Sequence, residues 1–168
     1  MSYLLPLLGT KTSYPSFIVP CNNGLIQIEC QYSIFNYEKD KDDYRYASKR
    51  RKQIKKNIYD NNAVEDHHVI PKQFKYHPLI QEIDYDVSCS KNLLIMPTYY
   101  GYWLLKKNIH PDIIIHNKGH CEYNIFVGSV LNDIHINEDT IDGKKYNFWL
   151  FLQELKYKIV NNEDIPWN

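Results

Sequence analysis

The sequence predicts an α+β fold, because strand patterns dominate before residue 98 and helical patterns after it. Apolar and polar residues alternate from Ile26 to Ile34, which indicates a strand with one buried face. Two further strand-like pieces, at 64–70 and 93–96, are each closed by a proline. Apolar residues at helical spacing mark a last helix over 146–160: Phe148, Leu152, Leu155 and Ile159.

The N-terminal part predicts a β-hairpin followed by a basic helix or arm. The hairpin spans 16–35, with Ser16–Val19 as its first strand and a turn over Pro20–Gly24, where Asn and Gly tolerate positive φ. The basic segment spans 44–58 and is broken by Asn61–Asn62. Six basic residues crowd into eight positions: Lys49, Arg50, Arg51, Lys52, Lys55 and Lys56.

The C-terminal part predicts helices over about 98–108 and 112–134, the second starting at Pro111, since proline favours the first helical turn. A long irregular stretch separates the two central strands. We expect residues 1–62 to carry the hairpin and basic segment, and residues 63–168 to form the core with its C-terminal helix. At 168 residues the whole chain suits one compact domain.

Composition limits the partners of this chain. Its 20 basic and 20 acidic residues cancel, so any attraction for nucleic acid must come from a local patch. The four cysteines form no metal-binding pair spacing. The N-terminus lacks the features of a signal peptide, and no apolar run is long enough for a membrane span. We therefore expect a soluble intracellular protein with free thiols.

Four of the seven histidines form a pattern along the chain. His67 and His68 end a predicted strand, and Asn92 precedes the next one. His116 and His120 are four residues apart on the predicted 112–134 helix, where such residues share a face and can hold one ion together. Adjacent strand residues point to opposite faces, so His67 and His68 are expected to do different things.

These spacings predict a catalytic metal site. Imidazoles from His67, His116 and His120 would leave coordination positions open for water and phosphate. His68, not needed as a ligand, has an ordinary pKa near 6.5 and can take a proton from water. The Asn92 carboxamide can form a hydrogen bond that orients His68.

The order His-His, Asn and His-x-x-x-His resembles the ββα-metal (His-Me finger) fold of HNH nucleases. The matching segments are EDHHVIP at 65–71, KNLLIMP at 91–97 and HNKGHCEYN at 116–124. The likeness is to colicin-type DNases and to the AHH branch of the HNH/endonuclease VII group, and it covers about residues 63–131. It implies a metal-dependent endonuclease with the ligands and the general base named above, and with Asn92 as partner of that base.

The expected partners are one divalent metal ion and nucleic acid. Three imidazoles favour Zn, Ni or Mn, whereas Mg prefers oxygen ligands, and all four remain candidates. We expect DNA rather than RNA as substrate. The basic run 49–56 and Lys118 are candidates for backbone contacts, which carry no sequence information, so sequence preference should be weak.

Two other functions remain open from the residues alone. One is a structural zinc protein, in which Asp66 or Cys121 completes a tetrahedral shell with three histidines. The other is a nucleic-acid-binding module without cleavage activity. The basic run also fits a solvated helix face or a nuclear-import signal. The sequence leaves the oligomeric state open.

Overall fold

The computed structural model describes residues 17–21, 24–28, 34–35, 41–58, 62–105, 115–116 and 120–167. Lys118, a predicted phosphate contact, lies outside these residues. The described part is α+β, as the sequence predicts. The boundary that we place between residues 62 and 63 stays a prediction.

The N-terminal hairpin consists of β1 (Phe17–Cys21) and β2 (Gly24–Ile28), which pair antiparallel. Cys21 pairs with Gly24, so the connection is two residues long and tighter than the predicted turn. The predicted second strand, through Ile34, is too long. β2 ends at Ile28, and Ile34 is helical and buried in the core, which accounts for its apolar character.

The basic segment forms helix α1 (Lys49–Ile58). It begins at residue 49 rather than 44 because Ser48 caps it. The Ser48 hydroxyl accepts a hydrogen bond from the Arg51 N–H at 3.1 Å and satisfies one of the free donors of the first turn.

The two central strands form an antiparallel pair, β3 (Val64–His68) and β4 (Leu93–Pro97), in which His68 lies opposite Leu93. Helix α3 (Tyr99–Leu105) follows at once, close to the start of β3. A Cβ at Gly101 would lie 1.6 Å from the Ala63 carbonyl oxygen, so only glycine permits this approach.

The connection between β3 and β4 contains more structure than predicted. It has a 3₁₀ turn over Lys72–Tyr76, the short helix α2 (Pro78–Glu82) and a second 3₁₀ turn over Ser90–Asn92. Its side chains at or next to α2, Leu79, Ile80 and Ile83, are each at most 1 % exposed. The stretch therefore contributes to the core instead of looping over it.

Helices α4 (Cys121–Asn137) and α5 (Ile141–Asn161) complete the fold. Together with α2 they enclose the core, which includes these buried side chains: Tyr123, Val127, Leu131, Phe148, Leu152, Leu155 and Ile159. In this region the ββα order is β3, β4 and α4, with α3 inserted before the last helix.

The predicted start of helix α4 at Pro111 is wrong, because Ile115 and His116 are not helical and His120 is the N-cap. The His116 N–H donates to the carbonyl of Pro97 at 2.8 Å, which ties this segment to the end of β4.

Among the described residues, no helix is long and apolar enough to cross a membrane. Cys89 and Cys121 are free thiols.

Candidate metal centre

Strand β3 distributes its polar side chains between two sides. Glu65 and His67 face the segment that leads into α4, where Glu65 contacts His116. Asp66 faces α1, and the His68 ring lies against Tyr46. This alternation follows from the period of two in a strand, and it places the two adjacent histidines in different surroundings, as predicted.

Three histidines meet on the first side. One potential ligand nitrogen from each of His67, His116 and His120 lies within 4.8 Å of the other two. The ring centroid of His67 is 5.5 Å from that of each partner, and the two partners are 5.1 Å apart. The structure therefore brings together the three side chains that the sequence nominates as ligands.

The chemistry of this cluster fits a divalent transition metal. Nε2 of His67 and Nε2 of His120 are buried and have no hydrogen-bond partner among the described residues, which is costly for a polar atom. Burial, reinforced by the neighbouring imidazoles, lowers the pKa of His67 to about 3. Burial also lowers the pKa of His120. Both rings are thus held in the neutral form that binds metals.

Glu65 orients the third imidazole. His116 Nδ1 lies 2.8 Å from Glu65 Oε2, and because a carboxylate only accepts hydrogen bonds, Nδ1 is the protonated nitrogen. In the neutral ring, Nε2 of His116 is then the nitrogen that carries the lone pair. A carboxylate–histidine pair of this kind commonly supports a metal ligand, and the sequence analysis did not identify Glu65.

The geometric reason for the meeting of His116 and His120 differs from the predicted one. They do not share a helix face, because the helix begins only after His120. Instead the bond from the His116 N–H to Pro97 holds one histidine at the end of β4. His120 lies at the N-cap of α4, where its carbonyl accepts the first helical bond, from Asn124.

His68 lies beside the cluster without belonging to it. Its ring centroid is 4.6 Å from that of Tyr46, and the Lys72 ammonium is 4.2 Å from the same Tyr46 ring. Burial and the charge of Lys72 lower the pKa of His68 to about 4, so the ring is neutral at neutral pH. Its buried Nε2 has no hydrogen-bond partner among the described residues. Lys72 is a second residue that sequence reasoning missed.

The predicted hydrogen bond from Asn92 to His68 is wrong. The Asn92 side chain is fully buried, and its amide donates to the carbonyls of Ile70 and Val87 at 2.9 and 2.7 Å. Its oxygen accepts from the Ile70 N–H at 2.8 Å. Asn92 therefore holds the backbone that follows His68, and its effect on that imidazole is indirect.

The basic run does not act as one exposed surface, because two of its members point inward. Arg51 and Lys55 bind the Asp66 carboxylate at 2.6 and 2.8 Å, and the Asp66 side chain is only 3 % exposed. The remaining four basic side chains of α1 are exposed: Lys49, Arg50, Lys52 and Lys56. Arg51 and Lys55 are therefore excluded from the predicted nucleic-acid contacts.

The same ion pairs bear on the structural-zinc alternative. Asp66 is engaged by two cations on the other side of β3, and Cys121 is exposed. Neither residue belongs to the group that can hold a metal. Within the part of the chain that the structure describes, three protein ligands converge and no fourth, which is typical of a catalytic zinc site.

Two aromatic residues complete the surroundings of the cluster. Tyr123 is fully buried, and its hydroxyl donates to the Val69 carbonyl, so it packs, as predicted. Trp167 stacks on Tyr123 with centroids 5.1 Å apart. The sequence offered no signal for Trp167, which lies far from the histidines along the chain.

Comparison with protein families identified a family whose model matches this chain. A model for AHH, a nuclease family of the HNH/ENDO VII superfamily with conserved AHH, matches residues 48–157. The match includes every histidine of the cluster, and Asp66 stands where the family name has alanine. Searches of curated proteins and of solved structures found no match.

Proposed function

The chain belongs to the AHH nuclease family of the HNH/ENDO VII superfamily, and we propose that it cleaves DNA with one divalent metal ion bound by His67, His116 and His120. Family membership makes it a hydrolytic nuclease. The metal dependence, the DNA substrate and the role of each residue are the proposed part.

The convergence of three imidazoles, each with a potential ligand nitrogen within 4.8 Å of the other two, supports this proposal most strongly. Polar nitrogens buried without partners are rare in folded proteins unless a ligand satisfies them. His67 and His120 each present such a nitrogen, and the Glu65 contact leaves the third nitrogen, on His116, available.

A divalent cation bound there supplies Lewis-acid activation of the scissile phosphate. His68 is the general base: its neutral ring accepts the proton of the attacking water. Asn92 fixes the backbone after His68 and thereby the position of this base. The Lys72 ammonium, 4.2 Å from the Tyr46 ring that packs on His68, is the proposed contact for a phosphate oxygen.

The identity of the ion follows from its ligands only in part. Imidazole favours Zn, Ni and Mn over Mg, and an all-nitrogen protein shell is an unusual home for Mg. We propose that Zn or Ni binds most tightly. Mn and Mg are included in the cleavage assay because the ion that binds most tightly need not give the highest rate.

The exposed residues of α1 provide the proposed DNA contacts: Lys49, Arg50, Lys52 and Lys56. This helix is fixed to β3 through Asp66, which directly precedes the pair His67–His68. Lys118 belongs to the same proposal from the sequence alone. Contacts of this kind bind the phosphate backbone and confer little sequence preference.

The test combines a cleavage assay with metal titration by calorimetry. Plasmid DNA and RNA are incubated with the protein and Mg, Mn, Ni or Zn, with a chelator as control. His68→Ala should keep the metal and lose about 10²–10⁴-fold in rate, whereas His120→Ala should lose both metal and activity. His135→Ala, on the same helix about four turns further on, is the matched histidine control and should leave both unchanged.

Full activity of His68→Ala would refute the assignment of the base. Cleavage that persists in the chelator would refute the metal dependence. RNA cleaved in preference to DNA would refute the substrate.

A further inference from the structure

The segment after α5 folds back onto the candidate metal centre. The helix ends at Asn161, and the left-handed backbone of its C-cap, Asn162 (φ 53°), reverses the chain. The N–H of Glu163 returns to the carbonyl of Lys158 at 2.9 Å. Ile165 is then only 8 % exposed and belongs to the core, and Trp167 packs against the same core.

Trp167 packs against two of the three proposed ligands. The centroid of its indole ring is 5.3 Å from that of His67 and 5.0 Å from that of His120. The indole also contacts the Tyr123 ring, nearly parallel to it at an angle of 18°. Tyr123 is itself within ring-contact distance of both histidines, so the four rings form one cluster.

We propose that Trp167 is a positioning residue of the metal centre, which holds the imidazoles of His67 and His120 in ligating orientation. This inference rests on the ligand set of the proposed function. A metal site binds tightly only when its ligand rings are already oriented, and outer contacts supply that order. For His116 the Glu65 carboxylate does this; for the other two ligands the packed indole does.

Trp167 lies outside the part of the chain that matches the family model. The family match ends at residue 157, ten residues before Trp167. The turn at Asn162 and the anchor at Ile165 both lie beyond the match too. The segment after α5 therefore adds an aromatic side chain, Trp167, that packs against His67 and His120 from outside the matched region.

The experiment is a Co²⁺ titration, followed by calorimetry and by tryptophan fluorescence. Trp167→Ala should weaken binding about tenfold, the lower end of the effect of removing an outer contact. Trp167→Phe keeps a packed ring and should bind Co²⁺ as the parent protein does. Trp103→Ala removes an exposed indole on α3, and it is the matched control, with unchanged affinity.

Fluorescence separates position from general stability. Co²⁺ quenches an indole that lies close to it, so the parent protein and Trp103→Ala should show strong quenching on binding. Trp167→Phe should bind the ion with most of this quenching lost. Thermal unfolding of each variant identifies any that fail to fold, and the Phe variant keeps the inference testable if Trp167→Ala is one of them.

Unchanged Co²⁺ affinity in a folded Trp167→Ala would overturn the inference and leave the proposed function intact. Faster DNA cleavage by that variant at unchanged affinity would also overturn it, since the indole would then obstruct substrate. Quenching retained in Trp167→Phe would place another tryptophan at the ion and overturn it as well. A parent protein that binds no Co²⁺, Ni²⁺ or Zn²⁺ would overturn both proposals.

Discussion

Restoring the alanine of the family name, by Asp66→Ala, should destabilise this protein. The Asp66 and Arg51 side chains are 3 % and 8 % exposed and are 2.6 Å apart. Without the carboxylate, the buried guanidinium keeps one hydrogen bond, to the Tyr44 carbonyl at 3.2 Å, and its Nη2 already has no partner among the described residues. Lys55 is 24 % exposed and can turn to water, so Arg51 dominates the cost.

Breaking a buried ion pair from one side costs about 3–5 kcal/mol. That is a large part of the roughly 5–15 kcal/mol by which domains are stable, and it corresponds to a fall in Tm on the order of 10 °C. Urea unfolding followed by circular dichroism measures the loss. Glu154→Ala, which removes only a partly exposed i,i+4 pair with Lys158, is the control and should cost at most about 0.5 kcal/mol.

The double variant Asp66→Ala/Arg51→Met should recover most of the lost stability, because no charge is left buried without a partner. Since Asp66 and His67 lie on opposite sides of β3, metal affinity should not change while the protein is folded. A loss no larger than that of Glu154→Ala, or a double variant no more stable than Asp66→Ala, would refute the reasoning.

Three other outcomes follow from contacts at the site. Glu65→Ala should weaken metal binding about tenfold in calorimetry by freeing the His116 ring, with Glu65→Gln in between; equal affinity in all three proteins would contradict this. Asn92→Ala should lower the free energy of unfolding by at least about 2 kcal/mol, because it leaves the backbone polar groups of Ile70 and Val87 buried without their Asn92 partner. A smaller loss would show that the connection between β3 and β4 does not depend on these hydrogen bonds. Changing the four exposed basic residues of α1 to Gln should weaken DNA binding and flatten its dependence on salt, and an unchanged slope would return them to an ordinary solvated face.

The short-range features of this protein could be read from its sequence. Strand β3 and most of helix α5 follow from periodicity and local propensity, which act between neighbours in the chain. The choice of His67, His116 and His120 as ligands rested on residue type and order, and the structure brings these side chains together. The separation of His67 from His68 followed from strand geometry alone.

Other features depended on contacts between distant parts of the chain. A helix from Pro111 was compatible with local propensity, but His116 is not helical and its N–H bonds to the Pro97 carbonyl at the end of β4. The carboxamide of Asn92 suits a catalytic partner of His68. Only the approach of Ile70 and Val87 shows that it forms hydrogen bonds with the backbone instead.

The basic helix and the tail show the physical reason for this division. A run of positive charges states how many cations are present and not which way they point; the buried Asp66 carboxylate decided that Arg51 and Lys55 turn inward. Trp167 is 47 residues from His120 in sequence and 5.0 Å from it in ring centroids. Packing of this kind minimises exposed apolar surface over the whole molecule, and no local pattern records which distant residue fills a given space.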